Sequence, residues 1–160
     1  MPKFLTDQQV EQYHRDGFVS PIRVMAEEEA IALRSEIEAF EASQGKPIHG
    51  TQKTKAFLRF QWAHDLVKRT EILDAVEDVL GPDILCYQHG IWFKEPESGS
   101  YVSWHQDATY YGMDPWELLS AWVALTVVDD ISGCIQVVPG SHKGGSYPVA
   151  YTERSDENLL

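Results

Sequence analysis

At 160 residues, with 43% hydrophobic and 11% aromatic content, the chain has the length and apolar content for one domain with a sizeable core, which excludes a disordered protein. A formal net charge of -12 excludes sequence-independent binding to nucleic acid, because neutralising phosphates needs clustered Lys and Arg. No apolar run approaches the length of a membrane span, and Met1-Pro2-Lys3-Phe4 lacks the apolar core of a signal peptide, so a soluble, cytoplasmic protein is expected.

The first half reads as helices. Thr6 followed three residues later by Gln9 has the form of a capping box, and Gly17 supplies an end for the helix it opens. A second helix is expected from about Ala26 to Ser43, with Ala30, Ile31, Leu33, Ile37 and Phe40 on its apolar side and a stop near Gly45. Glu27, Glu28 and Glu29 at its start read as a solvated face. A third helix spans about Ala63 to Leu80 and ends at Gly81-Pro82.

From residue 83 onward the pattern changes to strands: Ile84 to Phe93, Tyr101 to Gln106, Leu118 to Val128 and Cys134 to Val138. Helices followed by strands predict an α+β domain with a helical part over about 1–82 and a sheet part over about 83–160. Cys86 and Cys134 fall inside those strands and read as buried small hydrophobes rather than a bridge, which suits a reducing compartment. No repeat, low-complexity segment or linker divides the chain into more than one domain.

The chemistry concentrates in Ser103-Trp104-His105-Gln106-Asp107. In a strand, His105 and Asp107 project from one face, and an imidazole nitrogen plus a carboxylate oxygen can grip one metal ion. With a second histidine they would complete the facial triad that holds Fe(II) and leaves positions open. His-x-Asp alone is a common triplet; its downstream company is more specific. Ser120 to Val128 reads as a buried strand, and Gly133 to His142 as a strand running into a Pro-Gly turn. Ala108 to Pro115, with its Gly and Asp-Pro signals, reads as a loop over the site.

Taken together, Phe93 to Lys94, Trp104 to Tyr111, Ala121 to Leu125 and Gly133 to His142 resemble the phytanoyl-CoA dioxygenase family of Fe(II)/2-oxoglutarate oxygenases. The resemblance implies a double-stranded β-helix, a cupin-like jelly roll, with the N-terminal helices packed outside it. It implies His105 and Asp107 as iron ligands, Trp122 at the 2-oxoglutarate pocket, and Fe(II), 2-oxoglutarate and O2 as cofactor and cosubstrates. The implied reaction hydroxylates a small-molecule or acyl substrate and releases succinate and CO2. A carboxylate at Asp107 favours hydroxylation over halogenation, since halogenating relatives carry a small residue there.

The family places its third iron ligand and a 2-oxoglutarate-binding arginine beyond the position of Leu160, so the chain reads as an N-terminal part lacking the last strands. His142 follows Pro139-Gly140-Ser141 and reads as a turn residue rather than the missing ligand. His14, His49, His64 and His89 read as surface or packing histidines. Gln88 and Lys94 share a strand face with Gly90 and Trp92 and could meet a cosubstrate carboxylate, or face solvent. Phe57, Arg59 and Trp62 could line a substrate entrance or simply pack. Two other readings stay open: a non-catalytic domain that cannot complete an iron site, and a zinc hydrolase recruiting another histidine. Substrate and oligomeric state have no code in the sequence.

Overall fold

A computed structural model describes residues 1–145 and 157–159. The helix ends follow local chemistry. α1 (Asp7–Asp16) opens on a reciprocal cap in which the Gln9 N–H donates to Thr6 Oγ1 at 3.2 Å and the Thr6 N–H donates to Gln9 Oε1 at 2.9 Å. It closes at Gly17, whose φ of 85° is left-handed and whose N–H donates to the Tyr13 carbonyl at 2.7 Å. α2 (Glu27–Gln44) likewise ends on Gly45 at φ 70°. Ala30, Leu33, Ile37 and Phe40 form its half-buried stripe, whereas Ile31 lies off that stripe and is exposed.

The expected third helix is two helices, α3 (Gln61–Val67) and α4 (Thr70–Leu80). Arg69 breaks them with extended backbone at φ -62°, ψ 126°. Its guanidinium explains the break: Nε donates to the Val24 carbonyl at 2.7 Å, and the terminal nitrogens donate to Glu29 Oε1 and Oε2 at 2.9 and 3.2 Å. A fork of donors meeting a carboxylate at the start of α2 outweighs one turn of helix continuity. Glu29 is therefore a partner, and not merely part of a solvated face.

Two further contacts tie the helices together. The Asp78 carboxylate near the end of α4 accepts the backbone N–H groups of Lys3, Phe4 and Leu5 at 2.6, 2.9 and 2.8 Å, which anchors the N-terminal segment. α3 packs on the single turn Ala56–Leu58, and the fully buried Ala63 and Ala56 allow that close approach. Ile48, 1% exposed, is the largest fully buried side chain among the described residues.

The expected strands are corrected. Among the described residues no ladder forms; there are two isolated bridges, antiparallel between Thr54 and Gly90 and parallel between Tyr101 and Asn158. Segments 84–93, 101–106, 118–128 and 134–138 carry no strand beyond those two bridge residues, so the jelly roll is not realised as a sheet here. The physical reason is that alternation marks which side chains suit burial, while a strand exists only through a neighbour's hydrogen bonds. Consistently, side chains expected inside lie open, Val127 at 77% and Ile135 at 56% exposure. Cys86 and Cys134 are free thiols, the first exposed and the second half-buried, not the core residues expected of them.

Candidate metal centre

His105 and Asp107 come together by a different backbone route from the one expected. Neither lies in a strand; Asp107 has helical dihedrals (φ -52°, ψ -43°) and leads into the single turn α5 (Ala108–Tyr111), which Gly112 closes at φ 61°. The expected loop 108–115 thus begins as a helical turn. The two side chains still converge, with His105 Nε2 3.2 Å from Asp107 Oδ1.

The Ser103 carbonyl fixes the chemistry of that meeting. It lies 2.8 Å from His105 Nδ1, and a carbonyl only accepts, so Nδ1 carries a hydrogen in either charge state. In the neutral ring Nε2 then presents a lone pair toward a carboxylate lone pair. Something positive must sit between them, either a proton or a metal ion. In the protonated ring Nε2–H donates to Asp107, and this hydrogen bond is the main reason that the His105 pKa is raised; partial burial opposes it and the Ser103 carbonyl reinforces it. The same bond is the first cause of a lowered Asp107 pKa, opposed by burial and helped by the Ser120 hydroxyl, which donates to Asp107 Oδ2.

Aromatic rings flank the pair. Tyr110 meets the His105 ring edge-on with centroids 6.1 Å apart, and Tyr111 packs against Tyr87 at 5.2 Å. Burial raises the Tyr111 pKa, and the Asp107 charge adds to the effect.

The donor set suits a first-row metal ion: one imidazole nitrogen with its other nitrogen tied to a carbonyl, and one carboxylate with its far oxygen tied to a hydroxyl. Among the described residues no third His, Cys, Asp or Glu joins them. His142 is engaged elsewhere, its Nε2 3.2 Å from the His14 carbonyl at the end of α1.

The other expected site residues are placed as follows. Lys94 Nζ donates to the Gly133 carbonyl at 2.6 Å. Gln88 lines an open groove with Thr51, Thr54, Lys55, Leu58 and Arg59. The Trp122 indole is 51% exposed. Phe57 and Trp62 both set their rings against His89, with centroids 6.4 and 6.5 Å away. Sequence reasoning missed Ser120, because a hydroxyl that reaches Asp107 across an intervening turn leaves no spacing signal.

The pair thus sets one imidazole nitrogen and one carboxylate oxygen side by side, flanked by aromatic rings. The chain belongs to the phytanoyl-CoA dioxygenase (PhyH) family, whose profile matches residues 13–159. It is 37% identical over 87 residues to peroxisomal phytanoyl-CoA dioxygenase of Bos taurus, covering 52% of this chain and 26% of that protein. It is 30% identical over 118 residues to a Stutzerimonas stutzeri protein named probable alpha-ketoglutarate-dependent hypophosphite dioxygenase, covering 73% and 41%. To L-proline trans-4-hydroxylase of Streptomyces griseoviridis it is 26% identical over 145 residues, covering 84% and 54%. The chain therefore spans about a quarter to a half of the length of these relatives. No solved structure matches it.

Proposed function

We propose that the chain is the metal-binding part of an Fe(II)- and 2-oxoglutarate-dependent dioxygenase that hydroxylates a small molecule or acyl substrate. The observation that carries this reading is the placement of His105 Nε2 against Asp107 Oδ1 with Nδ1 committed to the Ser103 carbonyl. Dioxygenase and hydroxylase relatives support the reaction class. When bound, Fe(II) with 2-oxoglutarate and O2 supplies the oxidising power, coupled to release of succinate and CO2.

The chain's own residues do the holding. His105 and Asp107 would ligate the metal through Nε2 and Oδ1, while Ser103 and Ser120 keep each ligand aimed. Tyr110 sets its ring edge-on against His105, and Tyr111, on the same helical turn, packs on Tyr87. Trp122, Gln88 and Lys94 are our candidates for cosubstrate contact; Lys94 would have to exchange the Gly133 carbonyl for a carboxylate. We assign residues 1–160 to one domain whose extended segments pair within a jelly roll in the whole protein. Two free thiols suit a reducing compartment, and we propose the cytoplasm.

Anaerobic Fe(II) titration with and without 2-oxoglutarate tests the reading through the visible charge-transfer band of the chelate. A band that is lost in His105→Ala and Asp107→Ala is the expected result. A folded chain that binds no metal would sink the reading for this chain and return it to a non-catalytic domain.

A further inference from the structure

Of the two isolated bridges among the described residues, the one between Tyr101 and Asn158 holds the segment that runs into the metal pair. It uses both backbone polar groups of Tyr101: the N–H donates to the Glu157 carbonyl and the carbonyl accepts from the Leu159 N–H, each at 2.9 Å. The next contact is made by a side chain. The Ser103 N–H donates to Asn158 Oδ1 at 3.3 Å, and Asn158 Nδ2 donates to Ser103 Oγ at 3.2 Å. A backbone N–H can only donate, so it fixes which end of the carboxamide faces it and turns the NH2 toward the hydroxyl. Both residues are half-buried. Ser103 is thereby gripped at its nitrogen and at its side chain by a residue 55 positions further along the chain.

The third polar group of Ser103 is the carbonyl that His105 Nδ1 meets at 2.8 Å. That carbonyl has a competitor for the imidazole's hydrogen. A neutral ring carries one N–H, and Asp107 Oδ1, 3.2 Å from Nε2, is a charged acceptor on the other side. With the hydrogen on Nδ1, Nε2 offers a lone pair. With the hydrogen on Nε2, the nitrogen facing Asp107 is blocked and the lone pair lies against the Ser103 carbonyl oxygen. Which form holds therefore depends on how firmly that carbonyl stays at hydrogen-bonding distance. A carboxamide that fastens Ser103 at two points removes the freedom by which the carbonyl would swing away.

We propose that Asn158 is a positioning residue for the metal pair: by clamping Ser103 it keeps the Ser103 carbonyl on His105 Nδ1 and so leaves Nε2 bare for a metal ion. An asparagine suits the task because one flat head carries both an acceptor for the N–H and a donor for the hydroxyl. The residue acts through Ser103 on His105, as an outer partner that sets the aim of a ligand. Its role at the metal rests on the Fe(II) reading, whereas its hold on the His105 tautomer does not.

The test reads the tautomer in the metal-free chain. NMR of the ring nitrogens, at a pH where His105 is neutral, separates a protonated nitrogen from a bare one, and the His105 signals are identified by their loss in His105→Gln. The unaltered chain is expected to carry the hydrogen on Nδ1. Asn158→Ala is expected to shift the population toward Nε2–H by about tenfold, as the loss of a neutral hydrogen bond or two would do. Asn158→Asp, whose carboxylate still accepts the Ser103 N–H and can accept the Ser103 hydroxyl, should restore the original form. Ile48→Ala separates positioning from general loosening, since emptying the helical core should lower stability and leave the tautomer unchanged. Anaerobic Fe(II) affinity should fall about tenfold in Asn158→Ala and recover in Asn158→Asp. Should Asn158→Ala fail to fold, Ser103→Ala, which removes only the hydroxyl half of the clamp, must shift the tautomer in the same direction. Hydrogen on Nε2 in the unaltered chain, or a folded Asn158→Ala with an unmoved tautomer, would overturn the proposal. Because the tautomer is read without metal, a failed iron titration leaves this result standing, and an unmoved tautomer leaves the iron titration untouched.

Discussion

Fe(II) binding measured anaerobically between about pH 5 and 8 should weaken with acid in a way that the geometry of His105 dictates. Nδ1 keeps its hydrogen for the Ser103 carbonyl, so a metal can take only Nε2 and must displace the single proton there. Below the His105 pKa, apparent affinity therefore falls about tenfold for each unit of pH, and above it the dependence vanishes. The knee lies above histidine's ordinary value because of the hydrogen bond to Asp107. Asp107→Asn then makes two opposite changes. The knee moves to lower pH, as the anionic acceptor is gone, while the plateau affinity drops by more than about 100-fold, beyond the usual cost of losing an outer-shell partner. Isothermal titration at several pH values, with the charge-transfer band as a second readout, measures both. A pH-independent affinity in the unaltered chain would refute the reasoning, as would an Asp107→Asn plateau equal to the original.

The same pair gives folding stability a pH window. The folded pKa of His105 is raised, so its contribution is complete below the unfolded value and is lost as pH rises through the folded one. The folded pKa of Asp107 is lowered, so its contribution is complete above the unfolded value and is lost as pH falls through the folded one. The interaction is one and the same, present between those limits. With side chains 26% and 36% exposed, solvent screening holds it to about 1 kcal/mol or less.

Ser120→Ala should weaken Fe(II) binding about 10- to 100-fold through the loss of the hydroxyl on Asp107 Oδ2, and Ser120→Thr should restore it; equal affinities in all three proteins would dismiss the contact. Gly17→Ala should cost about 1–2 kcal/mol in urea unfolding from its left-handed φ alone. It should cost more because the new Cβ would collide with the His142 ring, and adding His142→Ala should recover only that second part. Ile48→Ala should lower stability by about 2–5 kcal/mol in the same assay, and a loss under about 1 kcal/mol would show that the site is not packed as described.

What could be read in advance was governed by distance along the chain. Thr6 with Gln9, Gly17 and Gly45 act within one helical turn, so helix ends were legible from neighbouring residues. The break at Arg69 was not, because its cause is Glu29 and the Val24 carbonyl, more than a third of the helical part away. The strands failed for a related reason: alternation in 118–128 and 134–138 describes side chains suited to burial, and a ladder needs a partner that no local pattern names. His105 and Asp107 were found because two positions apart suffices for convergence on a turn as well as in a strand. Gln88 and Lys94, taken as neighbours on one face, diverge to the 51–59 groove and to Gly133 once that face is not a strand.

The end of α1 is the outer terminus of a relay. The Gly140 N–H donates to the Asp16 carbonyl at 2.7 Å, and the His142 ring lies across Gly17. Gly145, which caps the helical turn Ser141–Gly144, accepts through its carbonyl from Gln106 Nε2 at 3.2 Å, and Gln106 stands between His105 and Asp107. Removing the first seventeen residues would therefore unhook a clasp on the metal pair rather than trim a dispensable arm. A truncation that passes Gly17 is, in this architecture, an intervention next to His105 and Asp107.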